Sequence, residues 1–265
     1  MKESDYLDRG IPLPRSNSRA AKQMRIATLL AILARSITQH VFQPTYLLED
    51  KEDRDEIRLL LVNLAVKDSK KESFCRSLLL SIFPEEQAKN ARKAIDRVVR
   101  DVAWCVQDLA LDTDMEQFRL GVETVAQKAH ETWKLVQNTR EKFEPYFHLI
   151  NYDDFEWNVL SFSSGRTITV PENAASASKD DEPVFVIFPR IYVVADSEPE
   201  PVTPGVVVMK SQSTAAMEEV ESNNASSPTA GRAGPRSREI RSRTKSISTN
   251  GTNGFLPRTN QSAVH

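Results

Sequence analysis

Apolar residues recur at three- and four-residue steps along most of the first 145 positions, and this spacing constrains the fold more than any other feature of the sequence. An α-helix returns to the same face about every 3.6 residues, so each run predicts an amphipathic helix with one buried face. Breaks in the pattern divide it into five helices. The sequence therefore predicts a helical bundle over residues 18–150, preceded by a flexible arm at residues 1–17.

Helix-capping and helix-breaking residues set the expected limits of these helices. Ser18 is a favoured N-cap for the first helix, and Pro84 suits the first turn of the fourth. Ser69 and Glu72 have the spacing of a capping box, which would open the third helix. Pro145 is expected to end the fifth helix, because proline cannot continue a helical hydrogen-bond ladder.

The periodicity changes after residue 150. Three short segments are rich in β-branched and aromatic residues, namely WNVLSF at 157–162, VFVIFPRIYVV at 184–194 and VVVM at 206–209. They predict three strands of an antiparallel sheet, with Pro189 at an edge or a bulge. A sheet of this size needs cover on its apolar face, which the bundle can supply. The expected fold class is α+β, mainly α, with the sheet in residues 151–210.

The last 55 positions, residues 211–265, contain few large apolar side chains and are predicted to be a disordered tail. Seven Lys and Arg residues against four Asp and Glu residues give this tail a net charge of +3, although the whole chain has a net charge of -2. Arg241 and Arg243 lie three positions before Thr244 and Ser246, a spacing that suits basophilic kinases. We therefore predict phosphorylation at Thr244 and Ser246.

Composition excludes some classes of protein. The net charge of -2 provides no overall field for binding nucleic acid, so such binding is expected only through the tail. The sequence favours a cytoplasmic or nuclear protein. It has two cysteines, fewer than a disulfide framework needs, and its start shows no apolar leader. No run of about 20 apolar residues occurs, so no membrane span is expected.

The two cysteines and several near-motifs favour structural roles over catalysis. Cys75 and Cys105 fall in helical patterns beside apolar residues and are expected to be buried. The sequence HETWK at 130–134 lacks the second histidine of a zinc helix, since Lys134 occupies that position. No catalytic residue, cofactor or metal site is expected.

Two further stretches resemble sites only in part. DTDMEQFRLGVE at 112–123 has acidic residues at calcium-loop positions but lacks the required glycine, and it is better explained as the acidic start of a helix. Asp153 and Asp154 could form a carboxylate pair, but a polar turn explains them better.

The blocks KESFCRSLLLSIFPEEQ, VFVIFPRIYVV and EPVTPGVVVMKSQ together resemble a family of filamentous-fungal (ascomycete) proteins of unassigned function. The resemblance spans about residues 36–212. It implies a fungal intracellular protein and brings no activity, cofactor or catalytic residue.

Three functional hypotheses follow. The first is a non-enzymatic protein-interaction module, in which basic residues of the fourth helix meet an acidic protein partner; the residues are Lys89, Arg92, Lys93, Arg97 and Arg100. The second is an enzyme or a binder of small anions, with a site between bundle and sheet near Trp157, Arg190 and Tyr192. The third is a nucleic-acid accessory protein that acts through the tail.

Overall fold

The computed structural model describes residues 11–107, 112–149, 157–162, 181–195 and 198–225. The helices in these residues are α1 (Arg19–His40), α2 (Lys51–Lys67), α3 (Ser69–Ser81), α4 (Pro84–Trp104), α5 (Asp112–Gln137) and α6 (Lys210–Ala225). The strands are β1 (Lys142–Tyr146), β2 (Trp157–Val159), β3 (Pro183–Phe188), β4 (Arg190–Val194), β5 (Glu200–Thr203) and β6 (Gly205–Met209). The predicted α+β class, mainly α, is confirmed.

Helix α1 lies at the centre of the fold, between α4 and strand β3. Ser18 caps it as predicted, because the Ser18 side chain accepts a hydrogen bond from the main-chain N–H of Ala21 at 3.0 Å. The buried face of α1 is rich in alanine, including Ala27 and Ala31, and small side chains let the neighbouring elements approach closely. Ile26, which the periodicity assigned to the buried face, is exposed.

The strands of the described residues form two three-stranded sheets, whereas the sequence predicted a single sheet of three strands. The first has the order β1-β4-β5 and is antiparallel throughout. The second has the order β2-β6-β3, in which β2 is parallel to β6 and β3 is antiparallel to it. Pro189 divides the long apolar segment into β3 and β4, which belong to different sheets. The prediction of antiparallel pairing is therefore wrong for β2.

Pro145 lies inside β1, and α5 ends earlier than predicted, at Gln137. The proline is tolerated because β1 is an edge strand, whose outer N–H groups need no partner in the sheet. Pro201 occupies a similar place in β5, the other edge of the same sheet. Both strands escaped the sequence analysis because a proline argues against a strand.

Two large apolar clusters hold the described elements together. One lies among α1, α4 and α5 and includes Val98 and Trp133. The other joins α1 to the second sheet and to α6, and includes Met24, Phe185 and Ala216. Clusters on both sides of α1 explain why this helix is buried on more than one face.

Helix α6 occupies the first part of the segment that was predicted to be a disordered tail. The small side chains of Ser213 and Ala216 are fully buried, and the Ser18 hydroxyl donates a 2.6 Å hydrogen bond to the Glu219 carboxylate. Composition missed this helix because its contact with the fold uses small and polar residues. Thr244 and Ser246 lie outside the described residues.

Part of the predicted flexible arm is also packed. Ile11 contacts the apolar cluster around α6, and Pro12 and Pro14 are buried.

Candidate functional site

Helices α2 and α3 form a hairpin that lies against the first sheet. Asp68 caps α3, because its carboxylate accepts a hydrogen bond from the main-chain N–H of Lys71 at 3.0 Å. The predicted capping box of Ser69 and Glu72 is therefore wrong. Glu72 instead turns inward, is fully buried and pairs with Arg76 on the next helical turn.

Arg76 is only 2% exposed, and its guanidinium is surrounded by acceptors. It contacts the Glu72 carboxylate through Nε at 2.8 Å and through Nη2 at 3.1 Å. It also donates to four main-chain carbonyl groups at the end of α5 and in the following turn, those of Gln137, Thr139, Arg140 and Glu141. This side chain thus satisfies carbonyl groups that the end of α5 leaves without helical partners.

A second buried ion cluster joins the hairpin to strand β1. The buried Glu144 carboxylate accepts from Arg58 of α2, at 2.6 Å from Nη2, and from Lys142 of the same strand. Burial lowers the pKa of Lys142, and the neighbouring Glu144 carboxylate opposes that shift. The hairpin therefore meets the first sheet through charged side chains.

The apolar residues of the hairpin lie on its other faces. Phe74 is 71% exposed and Leu78 is 53% exposed, although the sequence assigned both to the buried face of α3. We define the hairpin patch as the exposed large apolar residues of α2, α3 and the turn that follows; these are Leu59, Leu60, Val66, Phe74, Leu78 and Phe83. Leu60 too was predicted to be buried. The patch accounts for six of the fourteen exposed large apolar side chains in the described residues.

Phe83, in the turn between α3 and α4, has a backbone φ of 48° and is 67% exposed. This left-handed conformation is unusual for a bulky side chain and costs roughly 1–2 kcal/mol. The turn is held from beneath by the buried Gln87 side chain, whose amide nitrogen donates to the Leu79 and Ile82 carbonyl groups at 2.9 and 2.7 Å. The fold thus supports an aromatic side chain in a strained and exposed position.

The two cysteines do not occupy the predicted core positions. Cys75 is half-buried on α3, and Cys105, which follows α4, is exposed. The prediction of burial is wrong for Cys105, because the apolar run of α4 ends just before it. No group of three or more potential metal ligands occurs among the described residues.

The basic residues of α4 do not form a single free surface. Lys93 and Arg97 both pair with the Glu49 carboxylate, at 3.0 Å for Nη2 of Arg97. Arg92 lines a separate groove of about 530 Å³ between α4 and α5. Arg100 is exposed at the edge of another cavity. Arg92 lines a different groove from Arg97 and Arg100, and Lys93 is paired with Glu49, so the single basic face that the sequence suggested is not formed.

The cavity that Arg100 borders has a volume of about 550 Å³ and lies between α4 and the start of α2. Arg54, Arg97 and Arg100 line it, together with His40 and carboxylates that include Asp50. Arg54 is only 6% exposed. The sequence did not predict this charged cavity, because the cavity forms only where α4 packs against the start of α2.

His40 lies in the wall of the charged cavity. Its Nε2 is 2.9 Å from the Asp101 carboxylate, which also accepts from the Ser36 hydroxyl at 3.1 Å. Burial lowers the pKa of His40; Asp101 opposes this shift, and the positive charges of Arg54 and Arg97 add to it. The imidazole is therefore neutral at pH 7, with the Nε2 proton donated to Asp101.

The residues of the second hypothesis, Trp157, Arg190 and Tyr192, are brought together by the fold. Arg190 is buried, and its guanidinium carbon lies 5.6 Å from the Trp157 ring centre and 5.2 Å from that of Tyr192. Gly205 lies so close that a Cβ atom there would be 2.2 Å from the Trp157 ring. Arg190 is therefore packed between aromatic rings as part of the fold.

The remaining near-motifs are the calcium-loop-like and zinc-helix-like stretches, which lie in helix α5, and the Asp153 and Asp154 pair. Residues 112–123 are helical and do not form a calcium-binding loop. His130 lines the groove between α4 and α5, and burial lowers its pKa. Asp153 and Asp154 lie outside the described residues.

Comparison of the chain with protein-family models, curated proteins and solved structures gives no match. The resemblance to a filamentous-fungal family therefore stays a prediction. No helix in the part of the chain that the structure describes combines the length and the apolar character needed to cross a membrane.

Proposed function

We propose that the protein is a non-enzymatic interaction module whose binding surface is the hairpin patch. The observation that supports this most directly is the orientation of α3, which faces the sheet with Glu72 and Arg76 and leaves Phe74 and Leu78 exposed. A contiguous exposed apolar patch commonly marks a protein contact, and Phe74 and Leu78 lie one turn apart on the same face of α3. The ion pairs under the hairpin hold this orientation without using its apolar side chains.

The chemistry around the patch indicates the kind of partner. Lys67 and Lys70 are exposed where α2 is followed by α3; Lys67 comes directly after Val66 in the sequence, and Lys70 lies one helical turn before Phe74. A complementary partner would place an apolar face on Phe74 and Leu78 and acidic residues near the two lysines. The proposed partner is accordingly a protein segment, such as an amphipathic helix, with an apolar stripe flanked by Asp or Glu.

Site-specific photo-crosslinking with the full chain tests this proposal. A crosslinking residue at position 78 should capture a partner, and the captured segment should carry the apolar and acidic pattern. The double variant Phe74→Ser, Leu78→Ser should bind that partner at least about tenfold more weakly, which corresponds to a combined loss of about 1.4 kcal/mol, because truncation costs most at the centre of an interface. Lys67→Glu, Lys70→Glu should weaken binding and reduce its dependence on salt.

The matched control is Leu120→Ser, Leu135→Ser, which removes two exposed leucines from α5 and should leave partner binding unchanged. Equal loss of binding in both double variants would count against the hairpin patch. Capture of a second copy of this chain at position 78, with concentration-dependent dimerisation, would replace the proposed partner with self-association.

The nucleic-acid hypothesis concerns residues outside the description and stays a prediction. A truncation that tests it should end after Ala225, because α6 packs against the fold. The small-ligand hypothesis at Arg190 is less favoured, because that side chain is already stacked against two aromatic rings. The localisation and the phosphorylation of Thr244 and Ser246 also stay predictions.

A further inference from the structure

We propose that the charged cavity between α4 and the start of α2 binds a phosphate group, with Arg54 as the principal ligand and Arg100 as the second. This site is separate from the hairpin patch. Arg54 takes part in none of the ion pairs of the described residues. Its buried Nε atom has no hydrogen-bond partner among them.

A buried guanidinium without an acceptor is unfavourable, because its lost hydration is not replaced. Arg97 also repels the Arg54 guanidinium, and its positive charge acts with burial to lower the pKa of Arg54. Arg54 nevertheless lines an open cavity large enough for a small ligand. An oxyanion in that cavity would accept hydrogen bonds from the Nη groups of Arg54 and offset the repulsion between the guanidinium groups of Arg54 and Arg97.

The carboxylates near Arg54 offset its charge only in part. Burial and Arg97 lower the pKa of Arg54, whereas Asp55 and Asp50 raise it without accepting a hydrogen bond from its guanidinium. Glu49 accepts from Lys93 and Arg97. Asp50 accepts from the main-chain N–H of Glu52 at 3.0 Å, as the N-cap of α2. The third carboxylate, that of Glu52, belongs to an exposed residue.

The number of acceptor oxygens favours phosphate over a carboxylate. The guanidinium groups of Arg54 and Arg100 both lack a carboxylate partner among the described ion pairs. A phosphate monoester offers three acceptor oxygens, enough for the guanidinium groups of Arg54 and Arg100 together. The lining attracts an anion, because Lys51, Arg54, Arg97 and Arg100 outnumber the carboxylates of Glu49, Asp50 and Glu52. The positive end of the α2 dipole lies at the same cavity and adds to the attraction.

The test measures ligand-induced change in thermal unfolding of the full chain at constant ionic strength. The probes are inorganic phosphate, phenyl phosphate and acetate. Both phosphates should raise the unfolding temperature in a saturable way, because a ligand that binds only the folded state stabilises it. Acetate should give no saturable shift. An equal response to acetate, or no saturable response to either phosphate, would overturn the proposal.

Variants locate the site. Arg54→Met should weaken phosphate binding by about thirtyfold or more, as expected for loss of a buried charged ligand. Arg100→Met should cause a smaller loss, and it keeps the test decisive if the buried substitution impairs folding. Arg92→Met is the matched control, because Arg92 lies on α4 but lines the other groove. Equal affinity in the Arg100→Met and Arg92→Met variants would overturn the assignment.

A binding titration with a phosphopeptide distinguishes the two sources of the phosphate group, the tail of this chain and a separate molecule. A peptide of residues 238–250 phosphorylated on Ser246 is titrated against phenyl phosphate. Tighter binding of the peptide than of its unphosphorylated form and of phenyl phosphate would identify the tail of this chain as the source. Tighter binding of phenyl phosphate would identify a separate phosphorylated molecule.

Discussion

Replacing Arg76 with methionine should destabilise the fold severely. The substitution keeps an unbranched side chain of similar length but leaves the buried Glu72 carboxylate without its counter-ion. Removal of one member of a buried ion pair typically costs about 3–5 kcal/mol. The main-chain carbonyl groups at the end of α5 lose their donors as well. We therefore expect a loss of about 4–5 kcal/mol, close to the whole stability of a marginal domain.

Urea denaturation followed by circular dichroism measures this loss. Glu72→Gln should cost less than Arg76→Met, because the amide oxygen still accepts a hydrogen bond from the guanidinium. The double variant Glu72→Gln, Arg76→Met should be more stable than the sum of the two single effects predicts, because it removes the unpaired charge. Arg92→Met, an exposed control on α4, should change stability by less than about 0.5 kcal/mol. A cost below about 1 kcal/mol for Arg76→Met would refute the reasoning.

Two further predictions concern stability. Burial lowers the pKa of His40 below 6.5, so below pH 6.5 the unfolded chain binds more protons than the folded chain does. The free energy of unfolding should therefore fall as the pH decreases from 6.5 towards the pKa of the folded state. His40→Gln, whose amide can still donate to Asp101, should make this fall smaller in urea titrations at several pH values. Gly205→Ala should destabilise the fold by about 1–3 kcal/mol in thermal unfolding, because the added Cβ meets the Trp157 ring. Gly121→Ala, whose Cβ enters open space on α5, should stabilise the fold by about 0.5–1 kcal/mol. A stabilising Gly205→Ala would contradict the packing described.

Helix positions could be predicted because their determinants are local. The cap at Ser18 and the proline at the start of α4 act within one or two helical turns, so both signals can be recognised in the sequence. The edge strands β1 and β5 were missed, because a proline weakens the local signal for a strand. Only the position of each strand at the edge of a sheet makes its proline acceptable.

The candidate sites were less predictable. The basic residues of α4 were recognised by type, but the pairing of Lys93 and Arg97 with Glu49 depends on how α4 meets the segment before α2. Arg54 gave no signal at all, since an arginine in the first turns of a helix is ordinarily in solvent. Its burial results from the approach of elements that are distant in sequence.

Sequence alone determined that α3 is a helix, and that it carries both an apolar pair, Phe74 and Leu78, and a charged pair, Glu72 and Arg76, at helical spacing. Which pair faces inward was decided by the tertiary structure. The end of α5 presents carbonyl groups that need donors, and only a guanidinium reaches several of them together. Satisfying these buried polar groups outweighs burying two apolar side chains, so the charged face turns inward and the apolar face remains exposed.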